Sequence, residues 1–368
     1  MHATEALAEA DRLMTLCNSC RYCEGLCAVF PAMEMRRDFA DGDLNYLANL
    51  CHSCGACYDA CQFSPPHEFN INVPVVLAKA RADSYAAYTW PASFSGLFKR
   101  NGLTISIALA VSAAIFILSF GTASGPSFFR AQSGTGSFYR IMPHQVMALL
   151  FGFAFLYAIT ALVMGVRKFW RDIGAPSGTL LEPSSLWQAI KDAGKLRYLD
   201  GGGASCVNDD GQAKDLRKHY HHATFYGFLL CFAATCVGTL YQYAFGREAP
   251  YAWYDLPVLL GSLGGIGLAV GPAGLLAAKF RRRRELQDEP RFGMDFAFIV
   301  MLLLTSVTGI LLLVLRETAA MNLLLAIHLG VVFALFVTMP YGKFVHGIYR
   351  FVALVRYARE RRQEAAHG

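Results

Sequence analysis

The chain has 368 residues, 55% hydrophobic and only 16% charged, with mean hydropathy +0.35 and net charge +6. Soluble chains usually carry about 25% charge, so this composition excludes a plain soluble enzyme and a disordered chain alike. Eleven cysteines in a chain this long are too few for a small disulfide scaffold, yet eight of them crowd into residues 17–61.

Residues 1–90 read as helical. Thr4 can cap a helix with Ala6, Leu7, Ala10, Leu13 and Met14 on one face. Asp43 can cap a second, Leu44–Leu50, and Pro74 suits the first turn of a third through Val75–Ala87. No alternating strand pattern is present, so a βαβ-type ferredoxin topology is not expected. Glu5, Glu9 and Asp11 stand where a signal peptide would be basic, and no early apolar core follows them.

Two cysteine runs share one spacing: Cys17-x2-Cys20-x2-Cys23-x3-Cys27 and Cys51-x2-Cys54-x2-Cys57-x3-Cys61. In two-cluster ferredoxins three cysteines of such a run hold one cluster and the fourth reaches across to the other. Cys17, Cys20, Cys23 and Cys61 are therefore the expected ligands of one [4Fe-4S] cluster, and Cys51, Cys54, Cys57 and Cys27 those of a second. Proline often follows the fourth cysteine; Ala28 and Gln62 stand there instead, which leaves the ligand count intact. Zinc usually takes two separated pairs, and disulfides are rare in a cytoplasmic region, so both fit less well. With each cluster fully ligated by cysteine, the expected role is carrying electrons, not binding substrate.

After a linker at 91–101, six apolar stretches are long enough to span a bilayer. They run over Gly102–Phe120, Pro143–Val166, His222–Phe245, Leu256–Phe280, Met294–Leu315 and Ala319–Tyr341. The fold class is thus all-α: a helical, ferredoxin-like domain at 1–90 holding two clusters, then a six-helix transmembrane bundle. Residues 102–346 form a cytochrome b-like membrane domain with a cytoplasmic loop at 167–218, and 347–368 a basic cytoplasmic tail. Six spans put both termini on one side, and 29 of the 33 Lys and Arg fall there; only Arg130, Arg140, Arg247 and Arg316 lie opposite. The positive-inside rule then places both termini and the clusters in the cytoplasm of a bacterial inner-membrane protein. Arg281-Arg282-Arg283-Arg284 sits in a short loop between spans and reads as a topology anchor, not a nucleic-acid site.

Ionisable residues within spans are costly and usually functional. His328 lies inside the sixth span and His346 at its end, 18 residues on, which is about five helical turns and one shared face, with Pro340 between them able to bend the helix. His346 with His222 or His219 would clamp a b haem near the cytoplasmic surface. His144 and His328 would form a second pair on the periplasmic side, so one or two haems are expected. No Cys-x-x-Cys-His is present, which excludes covalent c-type haem. Cys231 and Cys236 read as packing residues in the third span. Cys206, within Gly201-Gly202-Gly203-Ala204-Ser205-Cys206, reads as part of a flexible loop.

The two cysteine runs occur with His219-Tyr220-His221-His222, Phe225-Tyr226-Gly227-Phe228 and Met339-Pro340-Tyr341-Gly342-Lys343-Phe344-Val345-His346-Gly347. In this combination the chain resembles, over nearly its whole length, the tricarballylate-utilisation protein B family, also called the citrate-utilisation protein B family. The resemblance implies an electron-transfer partner of a cytoplasmic FAD-dependent dehydrogenase that oxidises tricarballylate or a related tricarboxylate, with membrane quinone as acceptor. No Gly-x-Gly-x-x-Gly fingerprint is present, so the flavin and the substrate chemistry belong to that partner. Two further readings remain open. A quinol-oxidising subunit could feed a cytoplasmic reductase. A redox-sensing transporter would suit a fourth span interrupted at Gly264-Gly265, Gly271 and Pro272.

Overall fold

The computed structural model describes residues 2–174, 182–201 and 216–367, and every regular element among them is a helix. Cys206 and nearly all of the glycine-rich loop lie outside the described residues.

Helix α1 (Glu5–Cys20) starts as expected: Thr4 Oγ1 accepts from the Leu7 N–H at 3.2 Å, and Leu7, Ala10, Leu13 and Met14 are buried. It stops at Arg21, which is left-handed (φ 54°) with its N–H on the Cys17 carbonyl. Helix α2 (Val29–Glu34) follows. Helix α3 (Asp41–Leu50) begins two residues before Asp43, which caps nothing. The Asp43 carboxylate instead receives Arg36 Nε at 2.7 Å and Arg356 Nη2 at 3.3 Å, because a charge partner outcompetes a backbone N–H for it. After the short α4 (Ala56–Asp59), α5 (Val73–Ala87) is capped by Asn72, with Pro74 in its first turn.

Six helices are long and apolar enough to cross a membrane, with bounds within a few residues of expectation in most cases. They are α6 (Asn101–Ser124), α8 (His144–Asp172), α10 (Arg217–Phe245), α11 (Leu256–Phe280), α12 (Phe292–Val314) and α13 (Met321–Thr338). Short helix α7 (Ser137–Ile141) leads into α8, and α9 (Pro183–Gly194) lies between α8 and α10. Helix α13 packs on α6, α12 and α8, α11 joins α12, and α10 lies along α11. Apolar side chains such as Leu149, Phe153, Leu263 and Leu118 point outward, as a lipid solvent demands.

The fourth span is continuous: Pro272 lies inside α11 without ending it. The glycines that suggested a broken helix do something else. A Cβ on Gly264 would sit 2.8 Å from the Cys231 nitrogen and the Gly227 carbonyl, and one on Gly227 would meet Leu268 N at 2.8 Å. Small residues here let two backbones touch, the usual route to close packing in lipid. The feature that favoured a transporter is therefore a packing seam. Gly264→Val should cost about 1–3 kcal/mol through overpacking, read as a drop of several degrees in unfolding temperature in detergent. An unchanged temperature would mean the seam has slack.

Two findings alter the C-terminal reading. After α13 a 3-10 turn over Met339–Tyr341 and extended Gly342 break the chain, and α14 (Val345–His367) starts afresh. Pro340 lacks the N–H that a continuous helix needs. His346 thus belongs to α14, and helical phase does not relate it to His328. Residues 347–367, expected as a basic tail, continue helix α14. Tyr349, Val352, Ala353, Val355 and Tyr357 are buried, and α14 packs on α3, α8 and α9.

The N-terminal domain sits on one end of the bundle. Arg36 and Arg356 both pair with Glu360, at 2.5 and 2.7 Å, and Lys168 donates to the Thr89 carbonyl at 2.8 Å. Arg291 pairs with Asp83 at 2.5 Å, Arg283 pairs with Asp59, and Asn72 donates to the Glu285 carbonyl. The loops expected on one side of the membrane do meet at one end. At the other end Gly136 N–H bonds the Ala249 carbonyl, and Arg316 bonds the Tyr251 carbonyl.

Candidate functional site

The fold brings the eight cysteines together as two sets, one from each run with the crossed fourth member. Cys17 and Cys20 end α1, Cys23 follows the left-handed turn, and Cys61 approaches from beyond α4. Burial, then Cys23, Cys61 and Cys20, pushes the Cys17 thiol up to about 12; burial, then Cys61 and Cys20, pushes Cys23 up to about 11. Cys20 is exposed, so this set borders solvent.

The second set is deeper. Cys27, Cys51, Cys54 and Cys57 line one small cavity with His52, Gly55, Pro74 and Tyr198. Ser53 (φ 49°) and Gly55 (φ 99°) are left-handed, which coils the chain so that these sulfurs face inward. Burial, then Cys51 and Cys54, raises the Cys27 thiol, while N–H groups of Val29 and Phe30 donate to it. The Ser53 N–H points at Cys51 Sγ, 3.3 Å away. Burial, then Cys27, Cys51 and Cys54, raises Cys57, and Cys23 of the first set contributes too. The two sets are therefore neighbours.

Thiols packed this way ionise only against positive charge, and iron supplies it. Among the described residues no three ligand side chains converge as a single metal ion requires. A cubane spreads its four cysteines over four irons, so sulfurs held further apart suit it. N–H donors aimed at sulfur suit it as well. The donor sets fit.

The loop Cys51–Ser53 is held by four arginines from four parts of the chain. Arg81 donates to the Cys51 carbonyl at 2.7 Å and to Ser53 Oγ at 2.9 Å. Arg350, on α14, donates to the same Cys51 carbonyl at 2.8 Å. Arg217 and Arg282 donate to the Ser53 carbonyl at 3.2 and 2.7 Å. The basic run is thus partly a docking device for this loop. Burial first, then Arg81, pushes Arg350 down to about 10. Burial first, then Arg350, pushes His52 well below the usual imidazole range. The surroundings of the second set are strongly positive.

The histidines distribute unevenly. His346 lies one turn from Arg350 on α14, and its ring centroid is 6.2 Å from that of His221, with planes at 74°. His346 Nδ1 bonds the Lys343 carbonyl at 2.5 Å, and burial, then Lys343 and Arg350, pushes its imidazole well below the usual range. His222 instead lies beside the Tyr226 ring, and His219 is exposed. His328 Nδ1 bonds Thr308 Oγ1 at 2.9 Å and faces Gly309, whereas His144 packs against Tyr139 and Tyr243. Those two are not brought together. Cys231 packs against Gly264, and Cys236 is exposed on α10.

Residues 98–367 match the family model "Citrate utilization protein B", and residues 10–87 match the model of that family's Fer4-like domain. The chain belongs to the citrate utilization protein B family. The Escherichia coli protein named "Citrate utilization protein B" is 50% identical over 366 residues, covering 99% of this chain and 95% of that protein. No solved structure matches the chain. A family member with this Fer4-like domain has a role in iron–sulfur electron transfer, and its six candidate membrane helices fit a multi-pass membrane protein.

Sequence reasoning placed His221 at the end of the third span but read it as interfacial, and it did not reach His52, Tyr198 or the arginine collar. The one available signal was the adjacency of His219, His221 and His222, which narrows the site to one turn of α10 without choosing the member.

Proposed function

We propose that the chain passes electrons from a cytoplasmic FAD-dependent dehydrogenase, acting on tricarballylate or a related tricarboxylate, to membrane quinone. Cys17, Cys20, Cys23 and Cys61 would hold one [4Fe-4S] cluster, Cys27, Cys51, Cys54 and Cys57 a second, and the start of α14 with α10 a b haem. Bound there, these groups supply one-electron transfer between a two-electron flavin and quinone. The observation that carries the reading is the placement of the sulfur sets. The first borders solvent, where a soluble partner can approach, and the second rests on the membrane domain through Arg217, Arg282 and Arg350. The exposed end suits docking, and the buried end suits handover to the bilayer. The positive charge on the end that carries the N-terminal domain supports a cytoplasmic orientation for both termini.

Anaerobic optical and EPR spectroscopy of the detergent-purified protein, with iron and acid-labile sulfide analysis, tests this. Two [4Fe-4S] signals and a b-type α-band, reduced by dithionite and bleached by a quinone analogue, are expected. Clusters without a haem band would remove the haem from the scheme. Reduced centres that a quinone analogue leaves untouched would remove the quinone.

A further inference from the structure

We infer that His221 and His346, rather than His222 or His219, are the two axial ligands of the b haem. This rests on the haem of the proposed function and names its ligands. An iron held by two imidazole nitrogens at about 2 Å each, with ring centres about 1 Å further out, separates the ring centroids by roughly 6 Å. The centroids of His221 and His346 stand 6.2 Å apart. Ordinary ring contacts in this protein span 5.0 to 6.4 Å, so the spacing admits an iron between the two rings and the hydrogen bonding must decide.

At His346 the hydrogen bonding has the required polarity. A ligating histidine usually donates its other N–H to a carbonyl, which fixes tautomer and ring orientation. His346 Nδ1 does so to Lys343, leaving the Nε2 lone pair for a metal. His221 Nδ1 is buried with no hydrogen-bond partner, a state that costs energy unless a further group completes the site. His222 and His219 carry no such signature.

The surroundings suit a porphyrin, which has an apolar ring and two carboxylates. Phe298 lies 6.4 Å from His346, centroid to centroid, and Phe344 contacts both Phe298 and Phe228. On the other side Arg350 is one turn along α14, and its buried Nε lacks a partner. A guanidinium so placed can take a propionate. The same Arg350 donates to the Cys51 carbonyl. The histidine pair and the second cysteine set thus meet at one side chain.

The test compares wild type with His221→Ala, His346→Ala, His222→Ala and His219→Ala, each purified anaerobically as the full chain. Haem is measured by pyridine haemochrome, and cluster EPR serves as the check on folding. Expected is loss of one haem per chain, or its conversion to high spin with recovery on added imidazole, in the first two variants alone. The oxidised wild type, independently of any variant, should give a strongly anisotropic low-spin signal, because axial planes at 74° leave the iron orbitals nearly degenerate. Loss in His222→Ala or His219→Ala, with His221→Ala unaffected, overturns the ligand assignment while the haem itself stands. Wild type purified with both clusters and no haem overturns assignment and haem together. A wild-type signal of weak anisotropy would overturn the near-perpendicular pair even if no variant could be purified.

Discussion

Cys27→Ala is expected to abolish the cluster whose other ligands lie 24 to 30 residues away, and to spare the one formed by its own run. Cys27 shares a cavity with Cys51, Cys54 and Cys57, and Cys51 and Cys54 stand close enough to Cys27 and Cys57 to raise the thiols of those two. Cys61 instead stands among Cys17, Cys20 and Cys23. Removing one of four thiolates from a fully ligated cubane typically empties it or leaves a three-iron remnant. The variants should therefore fall into two groups by the EPR spectrum that remains after dithionite reduction. Cys27→Ala should match Cys54→Ala, and Cys61→Ala should match Cys20→Ala. Should Cys27→Ala match Cys20→Ala instead, each run would serve its own cluster and the crossed arrangement would be wrong. The grouping holds whichever signal belongs to which cluster.

The crossing has a physical origin in the chain. Arg21 turns left-handed after Cys20, and Ser53 and Gly55 do so within the second run, so three sulfurs of each run curl towards a common point. The three residues to the fourth cysteine carry it past that point to the neighbouring site. Spacing alone encodes this, which is why the sulfur sets were legible in the sequence. The spans were legible for a similar reason: hydropathy is a local property, and Leu256–Phe280 matches its expected bounds to the residue. Thr4 and the buried face of α1 followed from local capping and periodicity.

What was not legible depends on tertiary approach. By spacing His346 continues the sixth span, but Pro340 and Gly342 break it, and the new axis of α14 turns His346 towards His221. Asp43 had the right position for a cap, but Arg36 and Arg356 arrive from elsewhere and take its carboxylate. The Arg281–Arg284 run is sufficient as a topology signal. Its second use, with Arg282 on Ser53 and Arg283 on Asp59, emerges only once the N-terminal domain is docked. The burial of α14 was hidden because its charged residues, such as Arg356, are satisfied inside the interface by Glu360 and Asp43.

Arg350→Gln should lower the midpoint potential of the cluster held by Cys27, Cys51, Cys54 and Cys57 and leave the other cluster unchanged. A cluster ligated by four thiolates gains a further negative charge on reduction, so fixed positive charge beside it favours the reduced state. Arg350 and Arg81 both donate to the Cys51 carbonyl, and Arg217 and Arg282 hold the adjacent Ser53. At a separation of about 8 Å and an effective dielectric of about 20, one unit charge is worth roughly 2 kcal/mol. For a one-electron couple, 59 mV corresponds to about 1.4 kcal/mol, so the expected fall is about 50–100 mV. Arg81→Gln should act in the same direction on the same cluster. The solvent-bordering set has no such collar among the described residues, so its cluster should titrate at lower potential in the wild type. Electrons arriving from a soluble donor at Cys20 would then run downhill towards Arg350 and His346, as the proposed dehydrogenase-to-membrane direction requires. An EPR-monitored redox titration of wild type and both variants decides this. If the solvent-bordering cluster has the higher potential, the gradient runs the other way, and a quinol-oxidising role becomes the better account of the same geometry. If both variants leave both midpoints unmoved, the arginines only position the loop, and direction must come from the partner.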